Sequence, residues 1–490
     1  MLEEPSLQSP AHRKSILEEP TMNDISGADR VRRAREAQTQ IEALPQNRVD
    51  EIVSTLGWWA YAEKNAQRLA ALAYDETGMG ELAETCARHR NRVLGTLRDI
   101  HGVTTLGAIE IDPRLGLRKL AKPIGVIAAI TPATAPTAAI AQNALLALKT
   151  RNAVVFCPHP KTSRTAQATV ELLRAALREA GAPVELLQIV PESTRQRAEE
   201  VMAAADLILA AGGAGVVHRA YRSGKPAYGA GTGNAVVIVD ETAALDDACE
   251  KIYRGKAFDN GTSCSSESSV IISERVWHAA IHRLREQGAH LCEDDEVHRL
   301  RAIAWPDGRS VSRAVVGRHA EAIARLADIR IPPGTRVLMA APGGVPGEDP
   351  LGGEKLSPIL TLWKFREFPE AIELVQKLTA VSGRGHSCGI HTQRAERVDQ
   401  LAHAVKLSRV MVNQSTGFGN SGSFSNGMAF TTTLSCGSWG GSVTNDNITW
   451  RHLLNYTCIS EPIAERMPDE NLLFAAHWAR LHKAAPQNAG

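Results

Sequence analysis

Ile124-Gly125-Val126-Ile127-Ala128-Ala129-Ile130 is a continuous apolar run with no polar alternation. Such a run suits a strand covered on both faces. Downstream of it the periodicity switches regularly. Residues 138–148 read as a helix and residues 153–157 as a second strand. Residues 162–180 then form a helix with Ala166, Val170, Leu173 and Leu177 on one stripe, Thr162 or Ser163 as N-cap and Gly181 as the stop. Residues 184–190, a helix from about Thr194, Leu207–Ala211, a helix from about Gly215, and Ala235–Val239 continue the alternation. Strands and helices at this spacing predict an α/β fold whose parallel sheet is covered on both faces. Ligands bind such sheets beyond the carboxyl ends of the strands.

Upstream, residues 28–100 have helical periodicity, with Val53, Leu56, Ala60, Leu69, Leu72 and Ala73 at three- and four-residue steps. The pattern breaks at Asp75-Glu76-Thr77-Gly78-Met79-Gly80, and a further helix runs from Glu81 to about Arg98. Residues 105–122 read as two short strands about Asp112-Pro113-Arg114-Leu115-Gly116. A hairpin leaves strand edges unpaired, so it is expected to join the sheet of a partner subunit. After Asp240 the alternation repeats less regularly to about Phe430, with strands over 268–272, 337–341 and 409–413, which predicts a second α/β domain. The final 60 or so residues hold the glycine-dense turn Cys436-Gly437-Ser438-Trp439-Gly440-Gly441 and a mixed tail. Residues 1–27 are rich in Pro, Ser and charge and repeat Leu-Glu-Glu-Pro at 2–5 and 17–20. That composition predicts a disordered tail.

The bulk composition narrows the function. With 490 residues there is room for about three domains. A formal net charge of +1 argues for neither nucleic acid nor an anionic membrane as partner. The eight cysteines are scattered without a CxxC pair, which suits a reducing compartment and offers neither a zinc site nor a disulfide framework. The N-terminus lacks the apolar core of a signal peptide, and no run of about 18 apolar residues exists. A cytoplasmic enzyme without a metal is expected.

Chemistry concentrates in Phe258-Asp259-Asn260-Gly261-Thr262-Ser263-Cys264-Ser265-Ser266-Glu267. Cys264 stands between an Asn-Gly turn signal and the apolar run Val270-Ile271-Ile272, so its thiol is predicted at a strand edge, within reach of a substrate. Two glycine clusters fall at strand ends. Gly212-Gly213-Ala214-Gly215 follows a strand and opens a helix, where bare backbone N–H groups can take phosphate. Gly229-Ala230-Gly231-Thr232-Gly233-Asn234 precedes the next strand, and neither cluster is a G-x-G-x-x-G fingerprint.

The cysteine segment resembles the nucleophile segment of the CoA-acylating branch of the aldehyde dehydrogenase superfamily. Three further segments agree in order. Leu209-Ala210-Ala211-Gly212-Gly213-Ala214-Gly215 with Ser223-Gly224-Lys225-Pro226 is similar to that branch's cofactor loop, and Glu354-Lys355-Leu356-Ser357-Pro358 to the superfamily's E-x-[FL]-x-P segment. Gly437-Ser438-Trp439-Gly440-Gly441 with Arg451-His452-Leu453-Leu454-Asn455 is similar to the branch's C-terminal signature. The resemblance spans roughly residues 28–462. It implies a Rossmann-type dinucleotide-binding domain (28–104 and 123–240), a catalytic domain (241–430), an oligomerisation arm (105–122 and 431–462) and a C-terminal tail (463–490), in a homodimer or homotetramer.

By the same resemblance Cys264 is the nucleophile, which takes an aldehyde to a thioester. Glu354 holds the nicotinamide ribose of NAD or NADP, while His159, Gly212, Gly213 and Gly215 bind the rest of the cofactor. Hydrolytic relatives place a water-activating glutamate just before Ala235–Val239, and residues 227–233 offer no carboxylate. Transfer of the acyl group to coenzyme A is therefore implied, against the alternatives of a hydrolytic enzyme or a catalytically faded homologue. Most relatives carry an oxyanion-binding asparagine where this chain has Ala135. Val412-Asn413-Gln414, residues 418–424 and Asn426-Gly427 resemble members that act on sulfoacetaldehyde, with acetaldehyde as the rival substrate. For a sulfonate, Arg451, Arg384 and His386 are the candidate partners.

Overall fold

The computed structural model describes residues 25–481. The tail expected over residues 1–27 thus lies almost wholly outside the described residues, as do residues 482–490. By internal contacts the chain divides into a large unit, residues 25–103 with 123–454, and a small one, residues 104–122 with 455–481.

The apolar run at 124–130 forms Val126–Thr131, the central strand of a five-stranded sheet. The order is Leu187–Ile189, Ala153–Pro158, Val126–Thr131, Leu207–Ala211 and Ala227–Ala230, and all neighbours are parallel. Val126, Ile127, Ala128 and Ala129 are wholly excluded from solvent, as a run without polar alternation requires. Helix Pro136–Lys149 is buried at every position, so its largely apolar sequence reflects the absence of a solvent face. The predicted strand over 184–190 shortens to Leu187–Ile189 behind a 3-10 turn. Four helices, Gly27–Ile41, Gln46–Tyr61, Glu63–Thr77 and Leu82–Ile100, precede the sheet. The apolar stripes of the first, second and fourth, including Val31, Ile52, Leu56 and Val93, enter the same core. Arg35 fastens the first of them to Asp206, whose carboxylate also accepts the Val126 N–H at 2.8 Å.

A seven-stranded parallel sheet follows, in the order Ala289–Leu291, Val337–Ala340, Ile359–Phe365, Glu267–Ser273, Ala235–Val239, Cys388–His391 and Val410–Val412. Here the structure corrects the expected boundary. Ala235–Val239 belongs to this sheet, not to the first, and the edge of the first is taken by the unpredicted strand Ala227–Ala230. An apolar run reports burial on both faces; which neighbours bury it is settled by long-range pairing. The change-over between sheets is the glycine-rich segment 231–234, so it precedes residue 240.

In the small unit, Gly107–Asp112 pairs antiparallel with Leu117–Pro123 as predicted, and Leu454–Ser460 completes a three-stranded sheet. Arg118 pairs with Glu461 at 2.8 Å. Residues 431–454, expected in the arm, belong to the large unit instead. A last helix, Glu470–Arg480, leaves Leu472, Leu473 and Phe474 exposed.

Candidate active site

Helix Leu245–Ala257 ends in a 3-10 turn, Phe258–Gly261, where two side-chain-bearing residues adopt left-handed backbone: Asp259 at φ 52° and Asn260 at φ 53°. Asp and Asn tolerate that region best, at a cost of roughly 1–2 kcal/mol each. The surroundings over-determine the turn. Asp259 Oδ1 accepts the Glu81 N–H (2.9 Å) and the Thr85 hydroxyl (2.7 Å), and Oδ2 lies 2.7 Å from Arg88 Nη1. Asn260 Nδ2 donates to the Gly80 carbonyl at 2.8 Å. The chain then delivers Cys264, half-buried, just before strand Glu267–Ser273. Its backbone N–H has no hydrogen-bond partner among the described residues. Gly233 lies against it: a Cβ there would sit 2.1 Å from the Cys264 carbonyl oxygen.

Cys264 opens on a cavity of about 530 Å3. The cavity lies at the carboxyl ends of the first sheet's strands, which contribute Thr131, Pro158, Gly212 and Gly231 at or just past their ends. His159, Gly212, Gly213 and Glu354 line it together with Cys264 and Ala135. Gly215 lines a neighbouring cavity of about 660 Å3 with Ser382, Gly383 and Trp439. The dinucleotide fits the first cavity by a specific feature. Helix Ala214–Arg222 begins there with no side-chain cap, and a Cβ on Gly213 would meet nothing within 4 Å, so a phosphate can approach bare N–H groups. The His159 ring accepts the Lys161 N–H, and burial with the charges of Lys161 and Arg313 lowers its pKa, leaving it neutral.

Glu354 is the only carboxylate lining the Cys264 cavity among the described residues. Its Oε1 accepts the Gly233 N–H at 2.8 Å, yet burial pushes its pKa up to about 8. Neighbouring Lys355 turns the other way, donating to Ser268 O (2.9 Å), Ser268 Oγ (3.0 Å) and Gly353 O (2.9 Å). This buried anchor fixes the loop that presents Glu354. Burial, with Glu354 as a second cause, pushes the Cys264 thiol up to about 12. Lys256, wholly buried close to Glu267 and Glu354, falls to about 7 for the same reason of desolvation.

The three residues expected to bind a sulfonate are not brought to this cavity. Arg384 lines the second cavity, His386 is fully buried, and the Arg451 guanidinium stacks on Trp450. The arginines that do line it, Arg88, Arg92, Arg195 and Arg219, were not singled out from sequence. Arg88 and Arg92 stand one helical turn apart in Leu82–Ile100. That spacing was a signal, but arginines on an amphipathic helix usually mark its solvated face.

The comparisons with known proteins agree with this geometry. The Aldehyde dehydrogenase family signature matches residues 3–300. The acylating sulfoacetaldehyde dehydrogenase of Bilophila wadsworthia is 38% identical over 459 residues, covering 92% of this chain and 98% of its own. The acetylating succinate-semialdehyde dehydrogenase of Clostridium kluyveri is 38% identical over 438 residues, covering 89% and 96%. The crystal structure of an acetylating aldehyde dehydrogenase from Geobacillus thermoglucosidasius superposes with a TM-score of 0.87 at 34% identity, over 91% of this chain and 98% of that one. The chain belongs to the aldehyde dehydrogenase family. Its fold is that of the acetylating members of known structure.

Proposed function

We infer that this enzyme oxidises a short-chain aldehyde with NAD(P) and passes the acyl group to coenzyme A. The carrying observation is the cavity's carboxylate content: among the described residues Glu354 is the only carboxylate lining it, and its Oε1 is engaged by the Gly233 N–H at 2.8 Å. Residues 227–233 hold no carboxylate to activate water against the sulfur, so a thioester survives until a thiol attacks it. In this reading Cys264 sulfur bonds to the carbonyl carbon, and the thiol proton passes to the carbonyl oxygen. The unpartnered Cys264 N–H faces the charge that develops on that oxygen. The dinucleotide supplies the hydride acceptor. Hydride loss from the former aldehyde carbon leaves a thioester, and the hydroxyl proton is released. Exchange with the coenzyme A thiol restores Cys264. His159, Gly212 and Gly213 are assigned to the dinucleotide, and Glu354 to its nicotinamide ribose.

The assay follows NAD(P)H and acyl products with and without coenzyme A. Turnover that needs coenzyme A and yields acyl-CoA is expected; free acid formed at the same rate without it would identify a hydrolytic enzyme instead.

We further assign the strands Gly107–Asp112 and Leu117–Pro123 to an interface with a second copy. The exposed apolar side chains Ile111, Leu115 and Leu117 support this, and sedimentation at micromolar concentration should give a dimer or tetramer. A cytoplasmic location is consistent with free cysteines throughout and with no described helix long and apolar enough to cross a membrane.

A further inference from the structure

The charges lining the Cys264 cavity are unbalanced, with four arginines against Glu354. Two of the four have acidic partners. Arg88 pairs with buried Asp259 and also donates to Thr262 Oγ1 (2.9 Å) and the Thr134 carbonyl (2.7 Å). Arg195 pairs with Glu199 at 2.9 Å. Arg219 belongs to the helix that opens at the glycine cradle, the cofactor's side of the cavity.

Arg92 is different. One Nη donates to the Ser421 carbonyl and the other to Ser421 Oγ at 2.8 Å, and its Cζ lies 5.5 Å from the Phe430 ring centre. All of these partners are neutral. No described carboxylate lies within 4.0 Å of it, whereas Arg88 and Arg98, one turn or more away on the same helix, each have one. Burial lowers its pKa only to about 10, so it remains a cation at neutral pH. It lines the same cavity as Cys264. A half-buried guanidinium that no carboxylate touches, with Asp99 acting on it only through space, keeps part of its desolvation cost, which an anionic ligand offsets. Its planar fork matches the oxygens of a carboxylate or sulfonate. Its neighbours in the lining, Ser421, Thr431 and Thr432, add hydroxyl groups and come from outside the first sheet. The subsite is therefore distinct from the phosphate cradle at the sheet's carboxyl ends.

We propose that Arg92, held in place by Ser421, binds the anionic tail of the substrate, so that the preferred substrate is a short aldehyde bearing a sulfonate or carboxylate. The proposal rests on the reading of Cys264 as the acyl-carrying nucleophile.

The test compares kcat/KM for sulfoacetaldehyde, succinate semialdehyde and acetaldehyde in the wild type, Arg92→Met and Arg92→Lys. The preference for anionic over neutral aldehyde should fall on the order of 100-fold in Arg92→Met, chiefly through KM, and recover in part in Arg92→Lys. The two anionic aldehydes show whether sulfonate or carboxylate fits better. Ethanesulfonate, an unreactive probe, should compete with acetaldehyde and raise the thermal midpoint of the wild type, and do neither in Arg92→Met. An unchanged preference in Arg92→Met, or equal ethanesulfonate binding by both proteins, would overturn the subsite. If Arg92→Met does not fold, Ser421→Ala should lower the same preference by a smaller factor, and an unchanged value there rejects the proposal. Failure of the nucleophile reading shows separately, as absence of coenzyme A-dependent turnover with every aldehyde while ethanesulfonate still discriminates wild type from variant.

Discussion

Arg88 Nη1 lies 2.7 Å from Asp259 Oδ2, and the same guanidinium reaches both the Thr262 hydroxyl and the Thr134 carbonyl. One side chain thus ties the turn before Cys264 to the segment that carries Ala135. Asp259 is almost fully buried, so Asp259→Ala leaves several donors and a charge unpaired. The expected loss is about 3–5 kcal/mol. A denaturation midpoint lowered accordingly, together with loss of activity, is the expected result; near wild-type stability would show that the left-handed turn holds without it.

Cys264→Ala should abolish aldehyde oxidation while leaving the fold and cofactor affinity intact, because it removes a small loop side chain from the cavity wall. Cys436→Ala should keep most activity, since that thiol is buried, hydrogen-bonds to the Leu434 carbonyl and does not line the Cys264 cavity. More than trace turnover by the first variant would end the nucleophile assignment.

Gly233→Ala tests how tightly the site is assembled. The added methyl would meet the Cys264 carbonyl oxygen at 2.1 Å and its carbonyl carbon at 2.8 Å, backbone atoms that cannot rotate away. Displacement of the sulfur by about 1 Å corresponds to roughly a 100-fold fall in kcat. Steady-state kinetics should find it even where the cofactor still binds.

Glu354→Gln has a pH signature. Burial raises the native pKa from 4.5 to about 8, so folding favours the protonated acid. That contribution is fully present below pH 4.5 and is lost as pH rises through about 8. The amide does not titrate, so the thermal midpoint of Glu354→Gln should gain on the wild type between pH 5 and pH 8. Hydride transfer should slow relative to the wild type as pH rises through about 8, where the wild type gains a carboxylate that holds ribose hydroxyls more firmly than an amide. Parallel pH profiles for the two proteins would remove the buried-acid reading, and unchanged turnover and cofactor affinity would place Glu354 outside the reaction.

Ala135 occupies the N-cap of helix Pro136–Lys149 without any side-chain cap and faces the cavity. Ala135→Asn should cap that helix, adding about 1 kcal/mol, while offering an amide N–H to the oxyanion. Turnover with acetaldehyde should rise on the order of tenfold, given the cost of one missing donor. Turnover with the anionic aldehyde should fall, because the larger side chain takes space from the substrate. If neither changes, the Cys264 N–H and the buried, unpartnered Thr131 Oγ1 already bind the oxygen.

Much of this site is written in local pattern. The run at 124–130, the alternation that follows, the loop position of Cys264 and the glycines opening Ala214–Arg222 are all set by periodicity and turn chemistry, which act over a few residues. Tertiary structure alone decided the rest. Ala235–Val239 reads as a buried strand in either sheet, and only its pairing with Glu267–Ser273 and Cys388–His391 assigns it to the second. Gly215 follows Gly213 closely in sequence yet faces another cavity, because the turn of the helix carries it round. Arg92 looks like one more arginine in a charged helix until Ser421 and Phe430, more than three hundred residues away, close over it. Local sequence encodes how much of a side chain is buried; the identity of what buries it, and hence its charge environment and chemistry, is set by contacts distant along the chain.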